Sequence, residues 1–195
     1  MHARGFCLSP LLGAVMLAFA AAPSHADDSD IAVQVEQRGR VVVVDVSMRV
    51  EASIEQAWSV MTDYDHMAGF VSNLRESRVL TRDGDTLTIL QKGEATRGLL
   101  TFRFENVREI VLTPPREIHS RLISGDLETS EFTTRLAGQG SSLRITNHGE
   151  FIPKIWVPPV IGPSMIAAET RAQFGQLRSE ILRRKTERPV ERGRQ

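Results

Sequence analysis

Residues 52–80 read ASIEQAWSVMTDYDHMAGFVSNLRESRVL, and the order of signals within them decides the fold. Ser53 and Gln56 have capping-box spacing, in which a serine oxygen and a glutamine side chain satisfy free N–H groups at a helix start. Ile54, Ala57, Trp58 and Met61 follow at helical spacing and form one apolar stripe. That helix is short, because DYDHM at 63–67 interrupts it, and residues 68–74 supply one more helical turn before a strand. Upstream, residues 31–50 read as a strand with a turn signal at Arg38-Gly39-Arg40. Val42, Val44, Val46, Met48 and Val50 share one parity, and Asp45, Ser47, Arg49 and Glu51 share the other. Such alternation makes one face buried and one wet.

Downstream the chain alternates between strands and turns. Residues 76–80, 86–95, 99–112, 117–123, 130–136 and 143–151 read as strands. Asp83-Gly84-Asp85, Arg97-Gly98, Pro114-Pro115, Ser124-Gly125-Asp126 and Gly138-Gln139-Gly140 carry the turn chemistry between them. Short connectors of this kind join antiparallel neighbours. FIPKIWVPP at 151–159 leaves the sheet as a proline-stiffened segment, and Gly162-Pro163 opens a last helix. Ile166, Thr170, Phe174, Leu177 and Ile181 share a face of that helix, while Glu169, Gln176, Glu180 and Arg183 point the other way. The helix runs to about Lys185, roughly 33 Å, enough to cross a small domain. The fold class is α+β. A curved antiparallel sheet of about six or seven strands grips one long C-terminal helix, with two short helices after the first strand and space left between sheet and helix.

The ends of the chain carry different signals. Arg4, the apolar run LLGAVMLAFAAA at 11–22 and Ser24-His25-Ala26 have the pattern of a cleaved signal peptide over residues 1–26. The run is shorter than the roughly 20 residues of a membrane span. Cys7 precedes the run, which argues against a lipoprotein anchor, and the sequence holds no other cysteine. The exported domain, periplasmic or secreted, therefore holds together by packing without disulfides. Residues 27–186 make one domain, and 187–195 an Arg-rich disordered tail. Basic and acidic residues balance at 24 each, so no global field attracts nucleic acid. Basic residues outnumber acidic ones from Arg183 onward. The tail is either solvated or in transient contact with an anionic membrane surface.

The block from Val50 to Leu80, with AWSVMTDYDHMAGFVSNLRESRVL at its centre, resembles the START-like superfamily (SRPBCC, helix-grip). The similarity is to the branch of polyketide cyclase/dehydrase-like and coenzyme Q-binding START domains. It rests on the Ala-Trp helix start, the Thr62-Asp63-Tyr64 break, the strand Glu76-Ser77-Arg78-Val79-Leu80, the closing Trp156-Val157-Pro158-Pro159 and the terminal helix. The resemblance implies a helix-grip fold enclosing an apolar cavity, with a lipid, quinone, polyketide, hormone or other hydrophobic small molecule as ligand. It also implies that a minority of members catalyse reactions.

Candidate site residues follow from this arrangement. No nucleophile elbow, paired metal-ligand spacing or phosphate loop is present, so no cofactor is expected. His119, and Asp63 with His66, are the acid/base candidates for a cyclase, dehydratase or hydrolase. His119 faces solvent if the Ile118 parity is the inner one, and turn chemistry also accounts for Asp63 and His66. Asn147 lies in the apolar row Leu143, Ile145, Gly149, Phe151, where its amide must bond a ligand, a neighbouring strand or water. Thr170 poses the same choice on the last helix. Trp58, Tyr64, Phe70, Leu74, Phe102, Phe104, Phe174 and Leu177 are the apolar ligand-contact candidates, and any one of them can equally be core. Gly93, Ala95 and Gly149 are expected to widen the space. The ligand would enter near residues 64–70 and the approach at 156–159.

Overall fold

The computed structural model describes residues 30–97, 100–155, 157 and 162–187. The signal-peptide reading, the turn at Gly98, Trp156, Pro158, Pro159 and the tail after Glu187 lie outside those residues.

Alternation in the valine-rich stretch is realised, but as two strands. β1 (Ile31–Arg38) and β2 (Val41–Val50) form a hairpin, so the sheet has eight strands, more than the six or seven expected. Gly39 explains the difference. It turns the chain at φ +63°, a left-handed conformation that glycine adopts without a Cβ penalty. On β2, Val42, Val44, Val46, Met48 and Val50 are all buried.

The two helical signals then carry the chain from β2 to the far edge of the sheet. α1 (Ile54–Met61) starts with the expected capping box: Gln56 N–H donates to Ser53 Oγ (3.2 Å), and Ser53 N–H donates to Gln56 Oε1 (3.0 Å). Ala57, Val60 and Met61 are its buried residues, and Trp58 is only partly buried against the core, so the buried stripe is turned by one position. The second helical segment is a single 3-10 turn, Met67–Gly69, and the chain is already in strand at Leu74.

The remaining strands are β3 (Leu74–Asp83), β4 (Thr86–Arg97), β5 (Leu100–Thr113), β6 (Glu117–Gly125), β7 (Leu127–Gln139) and β8 (Ser142–Pro153). They pair in sequence order, and β8 returns to β2, giving the order β1-β2-β8-β7-β6-β5-β4-β3 with every pair antiparallel. The long helix α2 (Gly162–Glu187) lies against β1, β2 and α1, which makes this a helix-grip fold. Pro163 sits in its first turn, where a missing N–H costs nothing.

Ion pairs fasten the C-terminal end of α2. Arg184 donates to Asp63 (2.7 Å) and to Glu180 (2.6 Å), and its guanidinium lies 5.4 Å from the centre of the Phe70 ring. Bonds from Arg183 outweigh burial and hold the Glu180 carboxyl down at about 2. Burial pushes Asp63 up, but bonds from His66 and Arg184 outweigh it and leave the carboxyl below its ordinary value. The interruption at 63–67 is thus a structural joint between α1, α2 and the sheet, whose β3 reaches Asp65 through Val79 N–H (2.7 Å).

Candidate functional site

A cavity of about 300 Å³ lies between the inner face of the sheet and α2. The pleat explains its lining. Val44 on β2 pairs with Gly149 on β8, Gly149 with Phe132 on β7, Phe132 with Ser120 on β6, and Ser120 with Ile110 on β5. The adjacent row runs from Asn147 through Thr134 to Ile118. Ile89 and Gln91 close the sheet side from β4, Met61, Tyr64 and Met67 come from the joint after α1, and Ile166, Thr170, Gln173, Phe174 and Leu177 from α2.

Of the residues singled out from sequence, Tyr64, Asn147, Thr170, Phe174 and Leu177 meet in this cavity. Trp58, Phe70 and Leu74 are partly buried against the hydrophobic core and are not part of the lining. The ring of Phe104 covers Gly93, and the Phe102 side chain lies outside the described residues. Gly93 and Gly149 do not widen the space as expected. A Cβ on Gly93 would stand 2.0 Å from Asn73 O and 2.6 Å from Phe104 Cζ. One on Gly149 would stand 2.2 Å from Glu131 O and 2.4 Å from the Phe132 ring. Each glycine lets an aromatic ring lie flat on the backbone, and Phe132 gains its place in the cavity wall by resting on Gly149.

Asn147 resolves half of its alternative within the protein. Its Nδ2 donates to Thr134 Oγ1 (2.8 Å), and its carbonyl oxygen has no partner among the described residues. Gln91 Nε2 donates weakly to Ser77 Oγ (3.4 Å). Tyr64 is buried, with 6% of its surface exposed, and burial pushes its hydroxyl well above the ordinary phenol value against the pull of Arg108. It is therefore a neutral donor at any physiological pH.

The acid/base candidates stand elsewhere. Ile118 lines the cavity, so His119 points outward, where Nε2 is 3.3 Å from Glu131 Oε1 and Nδ1 is 3.3 Å from Thr133 Oγ1. Asp63 and His66 bond each other at 2.6 Å in the α1–α2 joint. Among the described residues no imidazole or carboxylate lines the cavity, and no cluster of three or more His, Cys, Asp or Glu is placed to hold a metal ion.

Sequence reading missed Arg108. It occupies the inward row of β5 between Asn106 and Ile110 and is the one charged residue among the described lining. The available signal was a lone arginine in the parity row Asn106, Ile110, Leu112. Val107 and Val111 on the opposite parity obscured it by making both faces of β5 look apolar.

The site sits in a recognisable framework. A family profile described as polyketide cyclase / dehydrase and lipid transport matches residues 50–173. No curated protein matches the chain in sequence. The fold is similar to that of the STAR-related lipid transfer protein (fragment 25–204) of Xanthomonas axonopodis, at 11% identity and a TM-score of 0.66, covering 80% of this chain and 96% of that one. It is similar to the Zhui aromatase/cyclase of a Streptomyces species, at 14% identity and a TM-score of 0.63, covering 79% and 99%. A START superfamily protein of Mycobacterium smegmatis is similar at 15% identity and a TM-score of 0.63, covering 72% and 97%. With more than half of its length matched by the profile and a START-like helix-grip fold around the cavity, the chain belongs to the polyketide cyclase/dehydrase and lipid transport family.

Proposed function

We propose that this chain is an exported binding protein that carries one apolar small molecule, a lipid, quinone or aromatic compound, between its sheet and α2. The observation that carries this reading is the cavity itself, about 300 Å³ bounded largely by aliphatic and aromatic side chains with a few polar groups. That volume stands at the small end of ligand pockets, which run roughly 300–1,000 Å³. Burial of apolar ligand surface at roughly 25 cal/mol per Å² would supply most of the affinity. The lining favours carriage over cyclase, dehydratase or hydrolase chemistry, because general acid/base catalysis works best with a group poised near neutral pH. The described lining holds no imidazole or carboxylate, only Tyr64 and Arg108, which keep their protons at neutral pH. His119, Asp63 and His66 are engaged outside the cavity. The leader at 1–26 supports export, and the basic tail supports transient contact with an anionic membrane during loading.

Native mass spectrometry of the chain expressed with its leader, followed by solvent extraction of the purified protein, tests this reading. The expected result is a stoichiometric apolar adduct released by organic solvent. Protein that emerges empty from several growth conditions and takes up no added lipid, quinone or aromatic compound contradicts it.

A further inference from the structure

Among the described residues Arg108 has no counter-ion. Its Nε donates to Ser120 Oγ (2.7 Å) and its Nη2 to Ser130 Oγ (3.0 Å), while the guanidinium carbon lies 5.8 Å from the centre of the Phe132 ring. Both serine oxygens are neutral. A guanidinium carries five N–H donors, so these bonds leave most of them, including both on Nη1, without a partner among the described residues. Arg184 shows how this fold treats another partly buried arginine: it gives it two carboxylates, Asp63 and Glu180. Arg108 has none among the described residues. The β5–β6 ladder shifts register between Val107 and Arg108, an irregularity of the kind that re-aims a side chain.

Burial in the cavity wall pulls the Arg108 pKa down to about 10, which still leaves a full positive charge at neutral pH. A cation held in a cavity wall without an anion is costly to keep, and a ligand that brings one negative charge to it would relieve that cost. We propose that the cavity takes an apolar molecule ending in a single carboxylate, with that carboxylate seated on the Arg108 guanidinium; this rests on the ligand-cavity reading above. Three features select the chemistry. The planar guanidinium fork matches a carboxylate in bidentate geometry. Arg108 is the one charged group of the described lining, so one negative charge is neutralised, whereas a phosphomonoester dianion would leave a second charge buried. The Tyr64 hydroxyl, kept protonated by burial, adds a neutral donor, and Val44, Ile89, Ile110, Ile118 and Phe174 offer the apolar remainder a matching wall.

Isothermal titration calorimetry of the whole chain at pH 8 with dodecanoate, dodecan-1-ol and dodecyl phosphate separates the possibilities. Dodecanoate is expected to bind roughly tenfold to a hundredfold more tightly than the alcohol, the range for a hydrogen-bonded charge. It is also expected to bind more tightly than the phosphate. Arg108→Gln should collapse the preference for acid over alcohol to within about threefold, and Arg108→Lys should keep part of it through its point charge. If Arg108→Gln does not fold, the wild-type protein still decides: acidifying through the ligand's own carboxyl titration must erase the preference. Equal binding of acid and alcohol overturns the carboxylate assignment and leaves the cavity reading standing. Tighter binding of the phosphate overturns the assignment as well. Failure of all three probes to bind also overturns the carboxylate assignment, and solvent extraction of the native protein decides the cavity reading separately.

Discussion

The two halves of α2 rest on different ground. Around Ile181 the helix closes a filled core: Ile181, Met48, Ala57, Val60, Val50 and Ile145 form one cluster, each with 1% or less of its surface exposed. Glu180, Arg184 and Asp63 fasten that end with charge-assisted bonds. Around Thr170 the helix roofs the cavity, and Ile166, Thr170 and Gln173 are only half-buried over a wall that carries Asn147, Ser120 and Arg108. One helix and one sheet thus hold a stability region and a binding region side by side. Long aliphatic side chains on consecutive inward positions fill the first. Polar groups and an aromatic ring laid on Gly149 leave the second unfilled.

The sharpest way to break this comparison is to truncate an isoleucine in each half. Ile181→Ala should cost about 2–5 kcal/mol in chemical denaturation. Ile166→Ala should cost less than half as much, because its neighbourhood is already open. Equal costs would mean that the two halves are packed alike.

The second test is acid. The folded-state pKa of Glu180 is lowered to about 2 from an ordinary value near 4.5, so its contribution to stability is complete above about pH 4.5 and is lost as pH falls towards 2. Glu180→Gln should lower stability at pH 7 by roughly 1–3 kcal/mol and flatten the melting-temperature decline across that window. An unchanged acid profile would remove Glu180 from the fastening of α2. The smallest effect is expected at His119. It faces outward onto Glu131 and Thr133, so His119→Ala should change stability by no more than about 0.5 kcal/mol and leave ligand affinity unaltered. A large loss of binding would place it in the site after all.

Much of the filled half was legible in the amino-acid order. Valine alternation on β2, the Ser53–Gln56 box and the Ile181 stripe are local signals, and local physics realises them. The hairpin at Gly39 was visible only as a turn signal, because valines of matching parity on both sides read as one continuous strand. The cavity half was less legible, since its contents depend on which residues meet across strands. Asn147 stood out as an amide in an apolar row, but its partner Thr134 is set by β7–β8 register. Arg108 was hidden by apolar residues on both parities of β5 and by the register shift beside it. Gly149 misled for a related reason. A missing Cβ looks like free volume in a sequence, yet the neighbouring strand fills it with the Phe132 ring.

The central claim is that the space under the N-terminal half of α2 is a ligand site, and filling it is the most direct test. Thr170 lies on that half and lines the cavity, so Thr170→Trp places an indole where the ligand would sit. Titration of the whole chain with the neutral fluorophore N-phenyl-1-naphthylamine should give saturable enhancement with the wild-type protein. With Thr170→Trp, affinity should fall at least about tenfold, the cost of displacing roughly 1.4 kcal/mol of apolar contact, while the melting temperature holds. Equal binding by both proteins, or no saturable binding by the wild type, would contradict the account.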